Sequence, residues 1–159
     1  MSAIPYQETL WSDVLPGNYL TMQCLQPAIL AVESSFDLAP ALRQHILYRL
    51  DGGSGTDENL RWLLDRDSQV IGKGFSGKRA NALAGQVARW DTYDDYCQLG
   101  RVQPTFDLGK PVDVLVKRRW HKGKWRHSYY VTTLTFPSKK AFMGAHKKLR
   151  GGMITRHHI

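Results

Sequence analysis

At 159 residues, with 42% of them hydrophobic, the chain has room for one domain with a real core or for part of a larger domain. Its sequence has no apolar run near the roughly 20 residues of a membrane span, and the Met1 to Gln7 start has neither the basic region nor the apolar stretch of a signal peptide, so a cytoplasmic protein without a membrane partner is expected. The net charge of +8 is unevenly placed: from Lys110 to Ile159, 13 Lys and Arg accompany one acid, Asp113, whereas residues 1–109 carry 9 basic and 13 acidic residues. The last third alone is the part expected to attract polyanions, with a solvated basic face or an unstructured tail as the other reading of such a run. Cys24 and Cys97 stand without CxxC spacing, which argues against a disulfide framework or a cysteine zinc site.

Residues 4–20 read as irregular, broken by Pro5 and by the turn Leu15-Pro16-Gly17-Asn18. Leu25, Ile29, Val32 and Phe36 then fall at helical spacing over Gln23–Phe36, with Pro27 expected in the first turn. A short helix over Pro40–His45 precedes the apolar run from Ile46 to Leu50, which favours a strand that Gly52-Gly53-Ser54-Gly55 stops. Asp51 therefore falls at the carboxyl end of a strand, where ligands and catalytic groups collect in open α/β sheets. The same residue reads equally as a turn-former. A helix follows, with Thr56 as N-cap, Asp57 and Glu58 in its first turn, and an apolar stripe of Leu60, Leu63 and Leu64.

Gln69 to Gly74 reads as a short strand, and Ser76 as the cap of a helix running to about Trp90, with Ala80, Leu83, Ala84 and Val87 on one face. Strand, helix, strand, helix implies a parallel pair with a crossover, the unit of an α/β layer. The loop Lys73 to Arg79 fails the GxxxxGK spacing of a phosphate-binding loop. As an alternative to a merely exposed loop, Lys73, Lys78 and Arg79 around a helix N-terminus suit a DNA phosphate. Asp91 to Pro111 is expected to be an irregular connection. Val112–Arg119 and Arg126–Thr135 suggest a β-hairpin around Trp120–Trp125. Its interleaved cations and aromatics make Lys117, Arg118, Arg119, Lys122, Lys124, Trp125 and Arg126 candidate nucleic-acid contacts. Beyond Phe136 the basic composition, ending in His157-His158, reads as a loosely ordered tail.

These motifs together resemble the DDE transposases of bacterial insertion sequences, in the group whose RNase H-like catalytic core is interrupted by a β-rich insertion. The resemblance rests on Leu15-Pro16-Gly17-Asn18, Cys24-Leu25-Gln26-Pro27, Arg49 to Asp57, Asn59 to Leu64, Gly72 to Ala80, Gly123-Lys124-Trp125 and Tyr130 to Leu134, and it spans roughly residues 6–136 in order. It implies an α/β fold: part of an RNase H-like core over 1–90, a β-rich insertion over 91–136 and a basic tail over 137–159. It also implies that Asp51 is the second of three acids that bind two magnesium ions for phosphodiester cleavage and strand transfer. In such enzymes the first acid lies upstream, before the point at which this chain starts, and the third is a glutamate on a helix after the insertion. No Glu follows Glu58 here. The expectation is a transposase segment that keeps Asp51, lacks both partner acids, and binds DNA without activity of its own. The alternatives are a standalone DNA-binding regulator of transposition that mixes with full-length transposase subunits, and an unrelated nuclease with other ligands.

Overall fold

The computed structural model describes the backbone from Leu20 to Ile154 and the side chains of Leu20 and residues 22–147; the Leu15–Asn18 turn and the His157-His158 pair lie outside the described residues. In chain order the elements are α1 (Thr21–Ser35), a 3-10 turn (Pro40–His45), β1 (Leu47–Leu50), α2 (Asp57–Asp65), β2 (Gln69–Lys73), α3 (Gly77–Ala84), β3 (Asp91–Asp94), β4 (Cys97–Val102), β5 (Asp113–His121), β6 (Lys124–Thr132) and α4 (Lys139–Ile154). The strands form one mixed six-stranded sheet in the order β1-β2-β6-β5-β4-β3. β1 and β2 are parallel, joined through α2, and the remaining pairs are antiparallel. β6 pairs directly with β2, so the hairpin and the parallel pair share one sheet.

Strand alternation divides the core into two layers. Val70, Val114, Val116, Tyr129 and Val131 point to one face and meet Leu60, Leu63 and Leu64 of α2 and Ala80 and Leu83 of α3. Ile71, Leu99, Leu115 and Tyr130 point to the other face and meet Phe142 and Met143 of α4. The two central helices start where their caps predict: Thr56 Oγ1 accepts from Asn59 N–H at 3.3 Å, and Ser76 Oγ accepts from Arg79 N–H at 3.2 Å. On the outer side Glu33, 7% exposed, accepts from both Arg43 and Arg66, tying α1 to the 3-10 turn and to the end of α2.

Four expectations are corrected. α1 begins at Thr21, which places Pro27 in its second turn rather than its first; Pro27 is exposed, so the hydrogen bond it removes faces water. α3 ends at Ala84, six residues before Trp90, because Val87 packs onto the bare backbone of Gly100 and Trp90 turns in to cover Arg118. The stretch expected to be irregular holds β3 and β4, paired around a tight turn in which Asp94 Oδ1 accepts from Tyr96 N–H at 3.0 Å. The expected loose tail holds α4, started by Ser138, whose Oγ accepts from Ala141 N–H at 3.0 Å; Phe142, Met143 and His146 lie buried on its sheet-facing side.

Candidate nucleic-acid interface

β1 and β2 run parallel and β6 runs against β2, with Lys73 opposite Tyr130. The turn of the β5–β6 hairpin therefore lies beyond the carboxyl end of β2. Lys124 lies six positions along the strand from Tyr130, which at strand rise is an overshoot of about 20 Å. The Asp51 turn, the loop from Lys73 to Arg79 and the hairpin tip thus gather at one end of the sheet.

Asp51 is exposed, and its Oδ1 accepts from the amides of Gly53 at 3.0 Å and Ser54 at 3.3 Å. This is an Asx turn, which stabilises the chain reversal after β1. Asn59, buried in α2, holds the turn from behind: its Nδ2 donates to the carbonyls of Ser54 at 3.1 Å and Met22 at 2.9 Å. The loop after β2 packs directly on this turn. Phe75 N–H donates to Gly55 O at 3.0 Å, and a Cβ on Gly55 would stand 1.9 Å from the Lys73 carbonyl oxygen. Gly74 is equally constrained, since a Cβ there would meet the Tyr129 ring at 2.0 Å. Lys73 lays its side chain along the same turn, with its Nζ 3.9 Å from where a Gly52 Cβ would sit.

Lys78 is exposed at the start of α3, and Phe75 beside it is 56% exposed. Arg79 is placed differently from its sequence neighbours. Its guanidinium grips both oxygens of Asp57, with Nη2 at 2.7 Å from Oδ2, donates to the Tyr129 hydroxyl at 3.3 Å and covers the Phe106 ring at 4.3 Å. These hydrogen bonds hold the Asp57 carboxyl below its ordinary value and Arg79 above its own. Arg79 is a structural cation that fastens α3 to α2.

A pair of magnesium ions needs several converging carboxylates. Among the described residues no group of three His, Cys, Asp or Glu converges, and Asp51 offers one carboxylate with an oxygen already engaged by two amides. The described residues do not fit a two-ion site, and no catalytic step follows from them.

The hairpin closes on Lys122-Gly123, whose φ angles of 49° and 76° are those of the two-residue turn that matches strand twist. Its register separates the candidate contacts onto two faces. Lys117↔Ser128, Arg119↔Arg126 and His121↔Lys124 continue the α4 side of the sheet; Arg118↔His127 and Trp120↔Trp125 continue the α3 side. On the α3 side the Arg118 guanidinium lies 4.2 Å from the Trp90 ring and 4.6 Å from the Trp125 ring, and donates to Gln98. Trp120 meets Trp125 edge-on at 5.1 Å, and His127 Nδ1 is 2.9 Å from Asn81 Oδ1 of α3. Burial lowers the pKa of both Arg118 and His127. On the α4 side Lys117 is half-buried; burial pushes its ammonium pKa down, and Lys147 and Arg119 push the same way. Arg119, Lys122, Lys124 and Arg126 are exposed.

Spacing alone did not reveal Asn59 or the Trp90–Arg118–Trp125 stack. For the stack, the two-residue alternation of β5 was the available signal, since it sets Arg118 opposite to Lys117 and Arg119. Among the described residues no helix is long and apolar enough to cross a membrane. No protein-family model and no curated protein matches the chain.

Proposed function

We propose that this chain is a DNA-binding segment of the insertion-sequence DDE transposase type, built on part of an RNase H-like core, which holds DNA and does not cut it alone. The observation that carries the reading is the hairpin: Arg119, Lys122, Lys124 and Arg126 stand exposed at its end, in a chain whose last third has one acid. Such a cluster neutralises phosphates and gains from counterion release. The parallel β1–α2–β2 unit with Asp51 at its carboxyl end is the arrangement that the resemblance calls for. The engagement of Asp51 with the Gly53 and Ser54 amides supports a turn-forming rather than an ion-holding role in this segment.

Pairing with full-length transposase subunits is a second reading, favoured by β1. It has β2 on one side and no strand on the other among the described residues, so it offers an edge to another chain.

The test is incubation of the chain with linear, end-bearing and nicked duplex DNA in magnesium. The expected result is a retarded complex with intact strands. Cleavage that disappears in Asp51→Asn would overturn the reading of this chain as a binding segment.

A further inference from the structure

The hairpin contains an arrangement that works against its own stability. Arg119 and Arg126 are directly opposite each other on one face, and Lys124 stands on the same face in the next pair toward the tip. Like charges opposite one another on paired strands destabilise the pairing. Several other cations of the fold are neutralised: Arg79 with Asp57, Arg43 and Arg66 with Glu33, Lys110 with Asp67, Arg101 with Asp113 and Lys139 with Asp91. Among the described residues no ion pair engages Arg119, Lys124 or Arg126. Conflicts of this kind between local rules and the fold collect at functional sites. An anion seated between the two arginines turns their repulsion into a shared attraction.

We infer that the α4-side face of the β5–β6 hairpin, formed by Lys117, Arg119, Lys124 and Arg126, carries one phosphodiester strand of a DNA duplex along its length, and that Arg118 takes no part in the contact. The inference rests on the DNA-binding reading and adds the face, the direction and the extent of the site. From Lys117 to His121 the ribbon runs about 14 Å. Successive phosphates along one strand of B-DNA lie about 7 Å apart, about twice their rise along the helix axis, so that length reaches about three phosphates. Lys147 of α4, its Nζ 4.4 Å over the Tyr93 ring, adds a further cation beside Lys117. Arg118 is excluded by its position: it lies on the opposite face, held between Trp90 and Trp125, where it joins the hairpin to the segment after α3.

The experiment is fluorescence anisotropy of a labelled 20-base-pair duplex, about 20 being ample for a three-phosphate site, across a salt series with the full chain. The variants are Arg119→Gln/Lys124→Gln/Arg126→Gln, which spares half-buried Lys117, and Arg61→Gln/Lys110→Gln, which removes two cations away from the hairpin. The triple variant is expected to keep its Tm or raise it, since an unfavourable pair is gone, and to lose about 2.7 from the slope of log K against log salt. The double variant should keep the wild-type slope. Wild-type binding with an unchanged slope in the triple variant overturns the face assignment and leaves the DNA-binding reading standing. A wild-type chain without salt-dependent binding overturns both.

Discussion

Replacing Arg79 with Met separates a structural cation from a ligand-facing one. Arg79 was an attractive phosphate contact in the sequence, yet its side chain is three-quarters buried, with the guanidinium bound to both oxygens of Asp57 and lying on the Phe106 ring. A hydrogen bond between charged groups contributes about 1.5–3 kcal/mol and a cation over an aromatic face about 0.5–1 kcal/mol. Methionine keeps part of the ring contact but leaves Asp57 without its partner, so a loss of about 2–3 kcal/mol is expected. For a domain of this length each kcal/mol moves Tm by about 2–4 °C, so the melt followed by circular dichroism should fall by about 4–12 °C. The pH dependence has a definite sign. Because the Arg79 hydrogen bonds hold the Asp57 carboxyl below its ordinary value, the pair contributes fully above about pH 4 and is lost as pH falls through the lower folded value. The gap between wild type and variant should therefore be constant from neutral pH down to about pH 5 and shrink well below pH 4. DNA affinity at a temperature where both proteins are folded should not change. A variant with the wild-type melt and several-fold weaker DNA binding would refute the assignment.

Gly55→Ala places a methyl group 1.9 Å from the Lys73 carbonyl oxygen, so the loops after β1 and β2 must part; urea unfolding should show a loss of about 3 kcal/mol or more, and a loss under about 1 kcal/mol would remove this contact from the fold. Glu33→Gln leaves Arg43 and Arg66 facing a neutral amide at a site 7% exposed. It should cost about 3 kcal/mol, and a neutral result would show that the cluster does not tie α1 down. Phe142→Ala removes a side chain packed edge-on against Tyr130 and Phe136, and should cost about 3 kcal/mol in the same assay. No change there would return the residues after Ser138 to the loose tail that their composition suggests.

The parallel unit was legible in the sequence because its local cues agree. Thr56 caps, Asp57 and Glu58 suit the helix N-terminus, Leu60, Leu63 and Leu64 form one stripe, and glycines bound the strands on either side. β3 was not legible, since Asp91 and Asp94 are poor strand formers and the strand exists through its pairing with β4. α4 was hidden because Gly144 and its lysines dilute the short apolar face of Phe142, Met143 and His146. At the candidate site, the chain order of the cations and their grouping on the strand differ. Sequence proximity joined Lys117, Arg118 and Arg119 into one basic run, whereas the strand places the middle residue on the opposite face, between two tryptophans. Arg79 shows the same limit, since nothing near it in the chain announces that Asp57, 22 positions earlier, will take its charge.

Backbone amide shifts of the ¹⁵N-labelled chain, recorded with and without a short duplex, test most directly the proposal that the hairpin binds DNA. The expected map concentrates on Lys117, Arg119, Lys124 and Arg126 and on the neighbouring part of α4, and leaves the Arg79–Asp57 contact undisturbed. A map confined to the Asp51 and Lys73 loops, with the hairpin silent, would contradict it.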